Sequence, residues 1–182
     1  ELLSIKQPDN STDYQSAGET LHKGIEFGLN YKPSKEWAIR IGGTTSQHKF
    51  VNFILSDKPS DPIKNLNGLE MPTAPKWSGN SEVNYYPKWF PNFRTSLEWQ
   101  TVGSYYEDQI NTVKYQGYNI FNARIGYKYK SIEFYGNINN LTNKLYAYMV
   151  TRGNTTISLP TYTAAAPRTF LLGLQYNFSL KK

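Results

Sequence analysis

Large apolar and polar residues alternate along most of this chain. From Phe170 onward every second residue is large and apolar: Phe170, Leu172, Leu174, Tyr176 and Phe178, with Leu171, Gly173, Gln175 and Asn177 between them. Successive side chains of a strand point to opposite faces, so this pattern predicts a closing strand with one greasy face. The same period predicts strands over 25–31 (Ile25, Phe27, Leu29, Tyr31), 37–53 (Trp37, Ile39, Ile41), 77–86 (Trp77, Val83, Tyr85) and 93–100 (Phe93, Leu97, Trp99). It continues over 121–129 (Phe121, Ala123, Ile125, Tyr127, Tyr129) and 132–139 (Ile132, Phe134, Gly136, Ile138). An opening strand at Glu1-Leu2-Leu3-Ser4-Ile5 makes about eight in all, and it reads as the tail of a strand that begins upstream.

The connections alternate in length. Short turns are expected at 33–36, 87–92 and 130–131, and long loops at 7–19, 46–75, 103–117 and 148–168. A soluble sandwich has no reason to keep that rule, because both of its ends are wet. An up-and-down barrel in an outer membrane does keep it, with short periplasmic turns and longer external loops. Aromatic residues flank both kinds of connection. Tyr31, Trp37, Tyr86, Trp89, Phe90, Tyr127 and Tyr129 lie by the short turns; Phe50, Phe53, Tyr105, Tyr106, Tyr146 and Tyr148 lie by the long loops. Rings with a polar tip favour the lipid–water boundary, so these positions are expected to form two girdles.

Composition changes the picture in one respect. Tyr (15), Phe (9) and Trp (4) make up 15% of the chain, yet mean hydropathy is −0.61. No apolar run approaches the roughly 18 residues of a membrane helix. A barrel strand needs only about 9–11 residues, half of them facing a polar lumen, so low mean hydropathy leaves a barrel open. The absence of cysteine excludes a disulfide framework and thiolate metal sites. The net charge of +6 suits an anionic lipid or polysaccharide surface. The positive residues are scattered, which speaks against a nucleic-acid face.

Four short motifs carry a family resemblance. Asn140-Leu141-Thr142-Asn143-Lys144-Leu145-Tyr146 is followed by Pro167-Arg168-Thr169-Phe170; Gly24-Ile25-Glu26 precedes the turn at Pro33; Gly68-Leu69-Glu70-Met71-Pro72-Thr73-Ala74-Pro75 precedes the strand at Trp77. In this order they resemble the C-terminal part of TonB-dependent outer-membrane receptors of the siderophore-receptor type. Gly173, Tyr176 and Phe178 resemble the signal that outer-membrane proteins present to the barrel-assembly machinery. Two features depart from that signal: Leu171 stands where a polar residue is expected, and four residues follow the terminal aromatic. The resemblance implies an all-β, antiparallel transmembrane barrel of 22 strands with a globular plug. It imports a scarce nutrient, most often a ferric siderophore, with energy from the TonB complex reached through the plug. Residues 1–182 would then be one barrel segment, C-terminal to a plug that is absent here, and the first and last strands would lack partners within the chain.

No constellation in the sequence points to catalysis or to a cofactor. His22 and His48 stand alone among polar neighbours, without further ligands at metal-site spacing. Arg40, Arg94, Glu98, Arg124 and Glu133 fall on the polar faces of strands, where a wide barrel is hydrated and charges pair with each other or with a plug. Asn-x-Thr/Ser matches such as those that begin at Asn10, Asn140 and Asn154 are coincidence in a bacterial outer-membrane protein. Ligand-binding candidates are the aromatic and fork-shaped residues of the external loops: Tyr105, Tyr106, Gln109, Tyr115, Arg152 and Tyr162. Two other readings stay open from the sequence: a self-contained eight-stranded barrel acting as an adhesin or structural protein, and a soluble carbohydrate-binding sandwich.

Overall fold

The computed structural model describes residues 2–6, 11–16, 18–54, 65–154 and 157–178. Glu1, Asn10, the middle of the long 46–75 connection (55–64), Thr155, Thr156 and Ser179 to Lys182 lie outside the described residues. Two short strands, β1 (Leu2–Lys6) and β2 (Thr12–Ser16), form a hairpin of their own. Then come β3 (Glu19–Tyr31), β4 (Trp37–Asn52), β5 (Trp77–Tyr85) and β6 (Phe93–Val102). A small hairpin of β7 (Tyr105–Tyr106) and β8 (Lys114–Tyr115) precedes β9 (Tyr118–Tyr129) and β10 (Ile132–Asn139). A further hairpin of β11 (Ala147–Thr151) and β12 (Thr161–Ala164) leads to the closing strand, β13 (Thr169–Tyr176).

Seven strands make one antiparallel sheet in the order β13-β10-β9-β6-β5-β4-β3. The closing strand pairs on one side with β10, and among the described residues β13 and β3 do not meet, so the sheet is open at both edges. This sets aside the self-contained eight-stranded barrel. The free edge at the start of the sheet is β3. The opening strand does not join the sheet; it pairs with β2, inside the stretch that the polar pattern assigns to a loop.

The sheet has one apolar and one polar face, and the register shows how they are built. Leu29 lies opposite Ile41, Val83 opposite Ile39 and Leu97, Trp99 opposite Phe121, and Phe134 opposite Tyr127 and Leu174. These side chains have no second sheet to cover them: Leu172 is 87% and Leu97 48% exposed. A sandwich would bury this face; a barrel wall turns it to lipid. At the short-turn end, Trp37 packs on Tyr85 with ring centroids 4.4 Å apart, and Phe90 stacks on Trp89, Phe93 and Tyr127. Aromatic rings thus cluster at the short-turn end.

The outer girdle differs. Phe50 and Phe53 are buried together with Leu66 and Met71, and Leu69, Ala74 and Ile110 pack against them. The reason is strand length. β3 and β4 run for 13 and 16 residues, and at about 3.3 Å per residue the longer one reaches roughly 50 Å, about twice the height of the lipid band. Their outer halves therefore stand in water, where no apolar alternation is required. The polar stretch from Glu19 to Gly24, which the alternation leaves outside the strand expected at 25–31, is strand for this reason. Main-chain bonds hold the returning connection beside β4: Ser46 N to Lys76 O (2.9 Å), Met71 N to His48 O (3.0 Å) and Phe50 N to Leu69 O (3.1 Å).

The motif at Asn140 has a physical basis. Asn140 has φ 52° and Asn143 φ 52°, a backbone state asparagine tolerates well. Asn140 Oδ1 accepts from Lys144 N (2.8 Å), and its Nδ2 donates to Lys144 O (2.8 Å) and Ala166 O (3.3 Å). Asn143 Oδ1 accepts from Arg168 N (3.0 Å). The two halves of the motif, separated by a long loop in sequence, thus fix the top of β10 to the start of β13.

Gly173 is the seat of an aromatic ring. Tyr135, opposite it on β10, lies over its backbone, and a Cβ on residue 173 would come within 2.2 Å of the ring's Cζ. Gly173→Val is expected to displace Tyr135 and cost about 1–3 kcal/mol, the usual range for overpacking. Denaturant unfolding of the full-length protein from phospholipid vesicles measures it. Gly173→Val combined with Tyr135→Ala should cost less than the sum of the two single changes.

Candidate functional site

On the lumen face the charges pair within the wall. Arg124 Nη1 lies 3.1 Å from Glu82 Oε2, and its Nη2 lies 3.1 Å from Glu98 Oε2. Asn122 Nδ2 donates to the same Glu98 oxygen at 3.0 Å, and Asn84 Nδ2 donates to Glu82 Oε1 at 2.6 Å. Arg94 pairs with Glu133. Arg40 lies opposite Glu82 in the register. Two carboxylates share one guanidinium, and the network reads as a rigid hydrophilic wall.

Beside it the wall has a recess of about 480 Å³. Glu26, Thr44, Ser78, Asn80, Gln100 and Tyr118 line it together with Gly42. The even-numbered positions of β3 to β6, with Tyr118 at the start of β9, supply these groups, so the alternation in the sequence contained them without marking them.

Above the wall three loops are bound into one layer. Asn111 exchanges two bonds with the main chain of Glu70: Glu70 N donates to its Oδ1 (2.8 Å) and its Nδ2 donates to Glu70 O (2.7 Å). Asp108, only 1% exposed, accepts from Thr112 N (3.0 Å), Thr112 Oγ1 (2.7 Å) and Val113 N (3.2 Å), which closes the loop tip. Arg152 Nε donates to Glu107 Oε2 (3.0 Å), its main-chain N to Glu107 O (2.8 Å) and its Nη1 to Ser158 O (2.6 Å). Gln109 and Asn154 pair reciprocally, main-chain N to Oδ1 (3.1 Å) and Nδ2 to Oε1 (2.8 Å).

The six ligand candidates divide between two settings. Tyr105 and Gln109 are buried and Arg152 is half-buried, all three within the loop layer; Tyr105 Oη accepts from Val150 N at 2.8 Å. Burial pushes the Tyr105 hydroxyl up from its ordinary value, against the bond from Val150. Tyr115 Oη donates to Ala147 O (3.1 Å) and accepts from Ala147 N (3.2 Å). Tyr106 is half-buried, with Lys114 Nζ 4.5 Å from its ring centre. Tyr162 is 60% exposed. Tyr115 and Tyr162 come together in a cleft of about 450 Å³ with Gly117, Leu145, Tyr146 and Ala147, a size that suits a small organic ligand. Tyr146 is the residue the candidate set lacks. It belongs to the Asn140 motif, its ring meets Tyr118 at 4.6 Å and Tyr148 at 5.7 Å, and burial pushes its hydroxyl up to about 12.

A family model described as TonB dependent receptor-like, beta-barrel, matches residues 3–141. This chain belongs to that family. TonB-dependent receptors are outer-membrane receptors and transporters. The probable TonB-dependent siderophore receptor PiuA of Acinetobacter baumannii is 29% identical over 139 residues, which is 74% of this chain and 18% of PiuA. The crystal structure of PiuA superposes with a TM-score of 0.73 at 24% identity, over 96% of this chain and 24% of that one. The ferric yersiniabactin uptake receptor FyuA from Yersinia pestis gives 0.69 at 17% identity, over 88% and 24%. The copper transporter OprC also gives 0.69, at 15% identity, over 98% and 27%. The chain thus spans about a fifth to a quarter of the length of these receptors.

Proposed function

We propose that this chain is the C-terminal wall of an outer-membrane TonB-dependent receptor that imports a ferric siderophore. The observation that carries the reading is the open sheet, with a lipid-type apolar face, in a chain of the TonB-dependent receptor family. An open sheet exposes unpaired edges that lipid does not tolerate, so β3 and β13 pair with barrel strands of the remaining receptor. In this reading residues 1–182 are one barrel segment, a plug fills the lumen, and the TonB complex acts through that plug. The cell's outer membrane is the location, and the barrel-assembly machinery reads Gly173, Tyr176 and Phe178. PiuA and FyuA support a siderophore as cargo. Because OprC shares the fold, cargo is decided by the loop layer, where Tyr106, Tyr162 and the cleft beside Tyr146 are the contact surfaces and Tyr105, Gln109, Tyr115 and Arg152 hold them in place.

The test is uptake of radioactive iron by cells grown under iron limitation, with and without the full-length receptor, across a set of defined ferric chelates. The expected result is loss of uptake for one chelate class, and the same loss in cells without TonB. Unchanged uptake of every ferric chelate overturns the cargo assignment.

A further inference from the structure

The two histidines that stand 26 residues apart in sequence face each other in the structure. β3 and β4 pair His22 directly opposite His48, and the two Nδ1 atoms are 2.7 Å apart with ring centroids at 5.0 Å. Alternation puts His22 on the same face of β3 as Glu26 and Asn30, the lumen side, and its height on β3 puts it at the outer rim. His22 Nε2 lies 3.0 Å from Thr20 Oγ1.

We infer that His22 and His48 form a two-imidazole site for a late first-row divalent transition ion, with Cu(II) bound most tightly. Three features support this. Two nitrogens on one ion, with bonds of about 2.0–2.1 Å, stand roughly 2.9–3.3 Å apart between square and tetrahedral angles, so the pair has to part by only a few tenths of an ångström while each ring turns by roughly 40° from its present head-on approach. Imidazole is a preferred ligand for copper, nickel and zinc, and copper heads the affinity order. In the tautomer that binds the ion His22 carries its hydrogen on Nε2, within reach of Thr20 Oγ1 at 3.0 Å as acceptor, the role that the outer partners of metal-bound histidines play. As the ion enters, His48 exchanges its hydrogen through water from Nδ1 to Nε2, so both rings bind as neutral imidazoles. Among the described residues no group of three or more metal-ligating side chains forms, so water or a donor brought by the ion completes the shell. The site depends on the β3–β4 register and is independent of the siderophore assignment.

The test is Cu(II) titration of the full-length receptor in detergent, read by calorimetry and by electron paramagnetic resonance. The expected result is one bound ion whose spectrum shows coupling to two imidazole nitrogens. His22→Asn and His48→Asn should each weaken binding at least about 10-fold, and Thr20→Val, a positioning change, about 10-fold or more with the two-nitrogen spectrum kept. Lys23→Ala, which leaves the pair intact, should bind as the parent does. A parent spectrum without two-nitrogen coupling overturns the site, and so does undiminished affinity in either histidine variant. The parent spectrum decides the matter even if a variant fails to assemble.

Discussion

Leu97→Arg is expected to remove about 2–4 kcal/mol from the stability of the membrane-inserted barrel, the range for a cation on the lipid face near mid-depth. Leu97 sits in the middle strand of the sheet, opposite Val83 on one side and Ala123 on the other. Among the described residues Leu97 has only apolar cross-strand neighbours, Val83 and Ala123, so the charge drags water into lipid or pulls the wall out of register. Asn80→Lys, on the lumen side between Gly42 and Gln100, should change stability by less than about 1 kcal/mol, because that face is hydrated. Urea unfolding of the full-length receptor from vesicles, followed by tryptophan fluorescence, compares the two. Equal losses would mean that the two faces do not have different solvents, and the barrel assignment of this sheet would fail.

Arg152→Met is expected to open the loop layer while the wall stays intact. It removes the partner of Glu107, which is 6% exposed, together with the bond to Ser158 O. Leaving one member of a buried ion pair alone costs about 3–5 kcal/mol. The half-buried guanidinium places the cost here toward the lower end. Because the loss falls on loops, it should appear as faster amide exchange and proteolysis around 105–113 and 150–160, with little change in the unfolding midpoint of the strands. Glu107→Gln combined with Arg152→Met should recover part of the protection, since no buried charge then remains unpaired.

The wall was legible in the sequence because lipid on one side and a hydrated lumen on the other impose a period of two. Leu97 and Glu98 are neighbours in sequence and opposites in solvent, and the alternation shows it. The outer third was not legible by the same rule. Glu19 to Gly24 is strand without apolar alternation, since both of its faces stand in water. Phe50 and Phe53 read as interface rings but are core, because their neighbour Leu66 arrives from across a long loop. The candidate set was read from residue type alone. Residue type does not separate Tyr162, which faces solvent, from Tyr105, whose hydroxyl is committed to Val150. His22 and His48 are a matter of register, and register between long strands cannot be read from two isolated residues.

The reciprocal bonds among the external loops bear on which stretches of the chain can be exchanged with a relative. Glu70 is tied to Asn111, Gln109 to Asn154 and Glu107 to Arg152. A loop grafted alone from a relative would leave at least one of these partners facing a stranger. The external loops of this chain therefore form one interlocked unit: an exchange that keeps these bonds has to move the stretches around 65–75, 103–117 and 146–160 together, and breakpoints that spare the loop layer are expected at the short turns at the opposite end of the sheet.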